Sequence, residues 1–250
     1  MREQITIERQ EGYAVLTMNK PQRRNALGTQ SMRELDEVLQ ALAGDKECRA
    51  IVLAGAPPAF CAGSDLKELG GLSIPDMCTH EAYTAKVARS MAYLPVPVIA
   101  AVEGYALGGG FILATSCDVV VSGASTKWAM PEVKNGWIPP WGLQTLIARC
   151  GPVKARLITW GSEEIDGAEA LRLGVADKLA GDGNALDEAC AMAERLAGLP
   201  ADAVRSTKRF FGAVITGASE QMDVEASRLF ASDCEGEAAK QVLAKFTETS

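Results

Sequence analysis

Polar and apolar residues alternate or run together over residues 4–8 and 13–18, around Glu11-Gly12, and this pattern predicts two strands closed by a tight turn. The period then lengthens. In residues 30–43, QSMRELDEVLQALA, apolar side chains recur at helical spacing, with Thr29 or Ser31 as the expected cap and Gly44 as the stop. Residues 50–54 form a short, wholly apolar run that predicts a buried strand, 76–93 read as a helix, and 97–102 as a second buried strand leading to Gly108-Gly109-Gly110. A helix from about 110, a strand at 118–122 and a structured segment at 126–133 follow, and beyond Gly151 the pattern is mainly helical. Residues 166–174, 185–198, 201–215 and 219–232 each predict a helix, the first stopped by Gly174. Strand-rich units followed by helices predict one α/β core with a helical tail.

Composition narrows the classes. A chain of 250 residues with 48% hydrophobic and 23% charged residues has the make-up of a globule with a sizeable core. Its net charge of −7 argues against nucleic acid and anionic membrane as main partners. The seven cysteines are scattered without a C-x-x-C pair, which predicts free or buried thiols in a reducing compartment, with no disulfide frame or zinc site. The N-terminal MREQITIERQ has no apolar signal region, and the apolar stretch 96–121 is broken by Glu103, Asp118 and glycines, so no membrane span is expected. The expected location is cytoplasmic.

Two loops carry the candidate chemistry. After the strand at 50–54 the chain passes through Pro57-Pro58 into FCAGSDLKEL (60–69), where small residues let backbone approach something that is not protein. After the strand at 97–102 the glycine triplet opens a helix, and bare N–H groups at a helix start suit a developing negative charge. Strand ends of a parallel sheet lie on one side, so amides from the two loops are placed to meet as an oxyanion hole.

RRNAL (23–27), FCAGSDLKEL (60–69), PVIAAVEGYALGGG (97–110), CDVVV (117–121) and MPEVKNGWIPPWG (130–142) stand in an order and spacing that resemble the crotonase family, the enoyl-CoA hydratases and isomerases. DGAEALRLGVAD (166–177) and the tail pattern EASRLF…SDCEGEAA extend the resemblance over nearly the whole chain. It implies a crotonase (ClpP-like) α/β spiral of repeated ββα units with a C-terminal helical region: residues 1–195 as the core with the acyl-CoA site, 196–250 for packing and oligomerisation. It implies a homotrimer or a hexamer built as a dimer of trimers. The partner it implies is an acyl-CoA thioester, with no cofactor beyond the coenzyme A of the substrate and no metal. On the same resemblance, the amides of Ser64 and Gly109 bind the thioester oxygen. Ala62, Asp65 and Leu66 lie along the adenine end of coenzyme A, and Arg24 and Ala26 border the pantetheine and phosphates.

Family hydratases use two glutamates. The second is present here as Glu132, while Ile112 stands where the first is expected. One carboxylate beside an enolate suffices to take a proton from C2 and return one to C4, so the leading expectation is a shift of a 3-enoyl double bond to the 2 position. Apolar Ile112 is expected to keep Glu132 poorly solvated and raise its pKa. Hydration or a hydratase-type lyase reaction is the alternative, followed by decarboxylation, thioester cleavage or acyl-CoA binding without catalysis. Trp141 is expected to present a large ring near the acyl end, with Phe230 in the core or touching the acyl group; no acid in the Pro140-Trp141 loop replaces the missing one. Asp65 reads equally as a helix cap. His80, the only histidine, sits in a polar stretch and reads as a helix-surface residue. Cys61 and Cys117 read as packing residues.

Overall fold

The computed structural model describes residues 3–161 and 164–247. Strands β1 (Ile5–Gln10) and β2 (Tyr13–Met18) form the expected antiparallel hairpin. Helix α1 spans Thr29–Gly44. Its cap differs from both expected residues: Gly28 is the N-cap, and the Ser31 hydroxyl accepts the Gly28 N–H at 3.0 Å and donates to the Gly28 carbonyl at 2.9 Å. The chain then enters β3 (Ala50–Gly55), passes through the single helical turn α2 (Leu66–Leu69), and forms α3 (Ile74–Ser90), capped by Ser73. The apolar stretch after it divides into β4 (Val98–Val102) and a three-residue strand β5 (Tyr105–Leu107), directly before α4 (Gly109–Thr115). Strand β6 (Val119–Gly123) follows. The segment at 126–133 resolves into β7 (Lys127–Ala129) and the start of a helical turn, α5 (Glu132–Asn135).

Helix α6 (Leu143–Gly161), absent from the sequence reading as a distinct element, is kinked at Gly151 (φ 79°), directly before Pro152. Helix α7 (Gly167–Leu173) ends in left-handed Gly174, as its sequence predicts, and leads into β8 (Lys178–Ala180). Helices α8 (Ala185–Ala197), α9 (Ala201–Thr216), α10 (Ser219–Cys234) and α11 (Glu237–Thr247) complete the fold.

Six strands form one sheet in the order β1-β2-β3-β4-β6-β8, with only the β1–β2 pair antiparallel; β5 and β7 pair in parallel as a second, two-stranded sheet. The strand pairs β4/β5 and β6/β7 each divide between the two sheets and each precede a helix, which is the repeated strand–strand–helix unit. Both faces of the large sheet are covered, so β3 and β4 read as continuous apolar runs. On one face α8 lays Ala185, Ala189 and Ala193 against the sheet; alanine at every fourth position lets the helix approach closely. On the other, Leu35, Leu39 and Leu42 of α1 join Leu16, Leu53 and Phe111 in the main core. Lys208 of α9, buried, ties the tail to this sheet by donating to the Val96 carbonyl at 2.7 Å and to Asp118 at 2.6 Å. No helix among the described residues is long and apolar enough to cross a membrane.

His80 is not on the surface. It is 8% exposed, with Nδ1 3.2 Å from the Thr29 hydroxyl, because α3 is packed between α1 and α10. The RRNAL segment turns through two left-handed residues, Arg24 (φ 50°) and Asn25 (φ 56°). Buried Asn25 donates its amide to the carbonyls of Ala56 at 2.8 Å and Ala59 at 2.7 Å, fastening this turn to the loop after β3. Asn25→Ala strands those carbonyls away from water and exchanges a residue tolerant of positive φ for one that is not. It is expected to lower stability by about 2 kcal/mol, read from the midpoint of urea unfolding.

Candidate active site

The site is assembled where the β3 loop meets the β5–α4 junction. The chain after β3 runs beside β5: Phe60 N–H donates to the Glu103 carbonyl, Cys61 N–H to that of Tyr105, and Leu107 N–H to that of Cys61, all at 2.8–3.0 Å. Glycines permit the approach. A Cβ at Gly63 (φ 87°) would lie 2.8 Å from the Leu107 carbonyl oxygen and 3.1 Å from the Gly109 nitrogen, and one at Gly110 would lie 2.2 Å from the Cys61 carbonyl oxygen. The Cβ position of Gly109 in turn is 3.6 Å from the Ser64 nitrogen. Neither the Ser64 nor the Gly109 N–H is used in the backbone hydrogen bonds of the described residues. Leu27 lies alongside Ser64 instead, pairing with Gly63 and Asp65.

Glu132, the first residue of α5, enters from the β7 side. It is 8% exposed, and its Oε2 has no hydrogen-bond partner. A Cβ at Gly108 (φ 51°) would come within 2.5 Å of Glu132 Oε1, so the first glycine of the triplet makes room for the carboxylate. Burial pushes the Glu132 carboxyl up to about 7, offset in part by its own backbone N–H and reinforced by the neighbouring Glu81. Ile112 lines the pocket as a buried apolar residue and packs on Gly142, where a Cβ would meet its Cγ2 at 2.1 Å.

Glu81 was not singled out from sequence. It projects from the middle of α3, is 2% exposed, and lines the same pocket. Trp141 Nε1–H donates to its Oε2 at 2.6 Å, and the Ser64 hydroxyl also reaches it. Burial raises the Glu81 pKa against the opposing effects of Ser64, His80 and Trp141. Its only signal in the sequence is a charged residue at a position of α3 that faces inward. The loop bearing Trp141 is held from behind, where Gly142 N–H donates to Asp223 of α10 at 2.7 Å and Asp223 pairs with Arg89.

Of the residues expected at the site, Ala62, Ser64, Leu66, Gly109, Glu132, Trp141 and Phe230 line this one pocket, with α10 and α11 supplying Phe230, Cys234 and Leu243 as its far wall. Arg24, Ala26 and Asp65 stand outside its lining. The Arg24 guanidinium lies over the Tyr105 ring at 5.0 Å, and Ala26 is buried beside Leu27. Asp65 caps α2 through the Lys67 N–H and pairs with Lys20 at 3.0 Å. Burial opposes the Asp65 charge, yet Lys20, Arg23 and the Lys67 N–H together hold its carboxyl below the usual range. Cys61 and Cys117 are buried thiols pushed up to about 12 by desolvation, which fits packing and not nucleophilic chemistry. No cluster of three or more metal-ligating side chains occurs among the described residues.

Two amides unused in the backbone hydrogen bonds of the described residues converge from separate loops with a buried carboxylate alongside, an arrangement chemically able to stabilise an oxyanion while a proton moves. The comparisons with known proteins give the family. The model for enoyl-CoA hydratase/isomerase matches residues 8–250. A probable enoyl-CoA hydratase of Mycobacterium bovis is 33% identical over 247 residues, covering 98% of this chain and 95% of its own. The short-chain-enoyl-CoA hydratase of Clostridium acetobutylicum is 31% identical over 93% of this chain and 88% of its own. The crystal structure of an enoyl-CoA hydratase/isomerase from Mycobacterium paratuberculosis superposes with a TM-score of 0.89 at 27% identity, covering 98% of this chain and 99% of that one. The chain belongs to the enoyl-CoA hydratase/isomerase family, and its architecture is the crotonase fold.

Gly63→Ala tests the convergence of the loops. The added methyl presses on Leu107 and Gly109 and strains a left-handed backbone, so the Ser64 and Gly109 amides separate. A fall of about a hundredfold or more in kcat/KM on the enoyl-CoA substrate is expected, with the far-ultraviolet circular dichroism of a folded protein retained.

Proposed function

We propose that this enzyme shifts the double bond of a 3-enoyl-CoA to the 2 position through an enolate. The observation that carries the reading is Glu132: a buried carboxylate with one oxygen unpartnered, beside the Ser64 and Gly109 amides, with Ile112 where family hydratases keep a further acid. With the thioester oxygen held by the two N–H groups, charge developing as C2 loses its proton is stabilised where it appears, and Glu132 is the base that takes the proton. A carboxyl titrating at about 7 holds a proton less tightly than the enolate does and more tightly than an ordinary carboxylate, which suits a group that must both take and release one.

Hydration of a 2-enoyl-CoA is the second reading. It is favoured by Glu81, a second buried carboxylate in the pocket, and the relatives compared above carry hydratase names. Absorbance of the conjugated thioester separates the two: a gain from 3-enoyl-CoA supports the isomerase, and a loss from 2-enoyl-CoA the hydratase. Glu132→Gln is expected to reduce turnover by about a thousandfold or more while acyl-CoA binding persists. Because the raised pKa leaves Glu132 protonated below about 7, kcat/KM is expected to fall about tenfold per pH unit on the acid side of that value. A pH-independent rate down to pH 5 would remove Glu132 from the role.

A homotrimer or hexamer and a cytoplasmic location belong to the same reading. The first is supported by the face of α9 that leaves Phe210 70%, Phe211 58% and Val214 72% exposed, the second by seven free cysteines. Sedimentation is expected to give a mass of three or six chains.

A further inference from the structure

The pocket contains more acid–base capacity than one proton shuttle requires. Glu81 reaches it from α3, an element separate from both loops and from α5. A carboxylate at 2% exposure is held there at a desolvation penalty; the Ser64 hydroxyl and the Trp141 indole N–H meet it as neutral donors, and the adjacent His80 is the basic group that acts on its charge. No cation pairs with it among the ion pairs of the described residues. The two carboxyl groups approach the amide pair differently. Glu132 lies against Gly108, whereas Glu81 lies against Ser64 and, through Trp141, against Gly109, whose Cβ position is 3.2 Å from the indole. They are near enough for the charge of Glu81 to raise the pKa of Glu132.

We propose that Glu81 is the second acid–base group of this active site, delivering a proton to the acyl chain from the Ser64 side while Glu132 removes one from the Gly108 side. The proposal rests on the reading of Glu132 as base. In the isomerisation, Glu132 takes the proton from C2, the C2–H electron pair becomes the C2=C3 bond, and the C3=C4 pair forms a new C4–H bond with the Glu81 proton. The step ends with Glu132 neutral and Glu81 ionised, and a proton passes from one to the other through solvent after product leaves. The step starts from neutral Glu81, the form that its burial favours. Ile112 fills the space on α4 and leaves this second role to a carboxyl arriving on another helix.

A purely structural Glu81 would only anchor Trp141, and three variants separate the two roles. Glu81→Gln keeps an oxygen that accepts the indole N–H but has no acidic proton; Trp141→Phe keeps the acid and removes the anchor; Glu132→Gln removes the base. Each is followed by turnover of 3-enoyl-CoA and by exchange of the C2 hydrogens of butanoyl-CoA in deuterium oxide, which needs only the base and the amides. For Glu81→Gln the expected result is a loss of about a hundredfold or more in kcat with C2 exchange retained, and for Trp141→Phe a smaller loss. Undiminished turnover by Glu81→Gln, or parallel loss of turnover and exchange matched by Trp141→Phe, overturns the proposal. If Glu132→Gln retains exchange, the reading of Glu132 as base falls, and this proposal with it. The unaltered protein gives a check that needs no variant: with deuterium at C2 of the 3-enoyl-CoA, the new C4 hydrogen is expected from solvent. Substantial transfer of the label from C2 to C4 means a single group does both tasks and overturns the proposal.

Discussion

The close approach of two backbone segments, Cys61–Ser64 and Leu107–Gly110, is the constraint on which the site depends. Side chains are excluded there by contacts of 2.2–2.8 Å at the Cβ positions of Gly110 and Gly63, so the residue types are dictated by space. The rest of the core serves that contact. Parallel pairing of β3 with β4 sets the ends of the two strands level, and the Asn25 amide holds the first loop by its carbonyls. Leu27 occupies the outer edge of the first loop, leaving the Ser64 amide turned to the pocket. Two N–H groups are thereby fixed before any ligand arrives, and a preorganised dipole needs no rearrangement when charge develops.

Around that fixed pair the chemistry is set by what is denied water. Glu132 and Glu81 are both carboxyl groups in an apolar pocket walled by Trp141, Phe230 and Leu243. Asp65, the residue directly after Ser64, is the opposite case, held ionised by Lys20 and Arg23. A carboxylate held charged by cationic partners thus stands close to two carboxyls whose charge burial opposes. The distinction comes from partners, since the residue types are alike.

Local signals made the strands, the glycine triplet and Glu132 legible in the sequence. Short apolar runs marked β3 and β4, Gly174 marked the end of α7, and the carboxylate followed a segment whose spacing is shared with a known family. What the sequence concealed was long-range. Glu81 and His80 sit in THEAYTAK (residues 79–86), where polar and charged positions outnumber the apolar ones, and nothing local says that α1 and α10 cover that face. The α1 cap was misplaced because a serine at the third helical position can bond back to a glycine N-cap, so the polar residue and the cap need not coincide. Helix α6 was hidden by Gly151-Pro152, which breaks the periodicity while the chain continues in a new direction.

The burial of Glu132 has a thermodynamic side. Its carboxyl titrates near 4.5 when exposed and at about 7 in the folded chain, so between those values the folded state holds the proton that the unfolded state has released. Raising the pH through that window therefore withdraws stability, to a limit of about 3 kcal/mol once the group is ionised in both states. The ionised form, the one able to act as a base, is the form in which the fold is least stable. A protein selected only for persistence would have an amide or a leucine at this position, and the strain of the free carboxylate is relieved each time it accepts a proton.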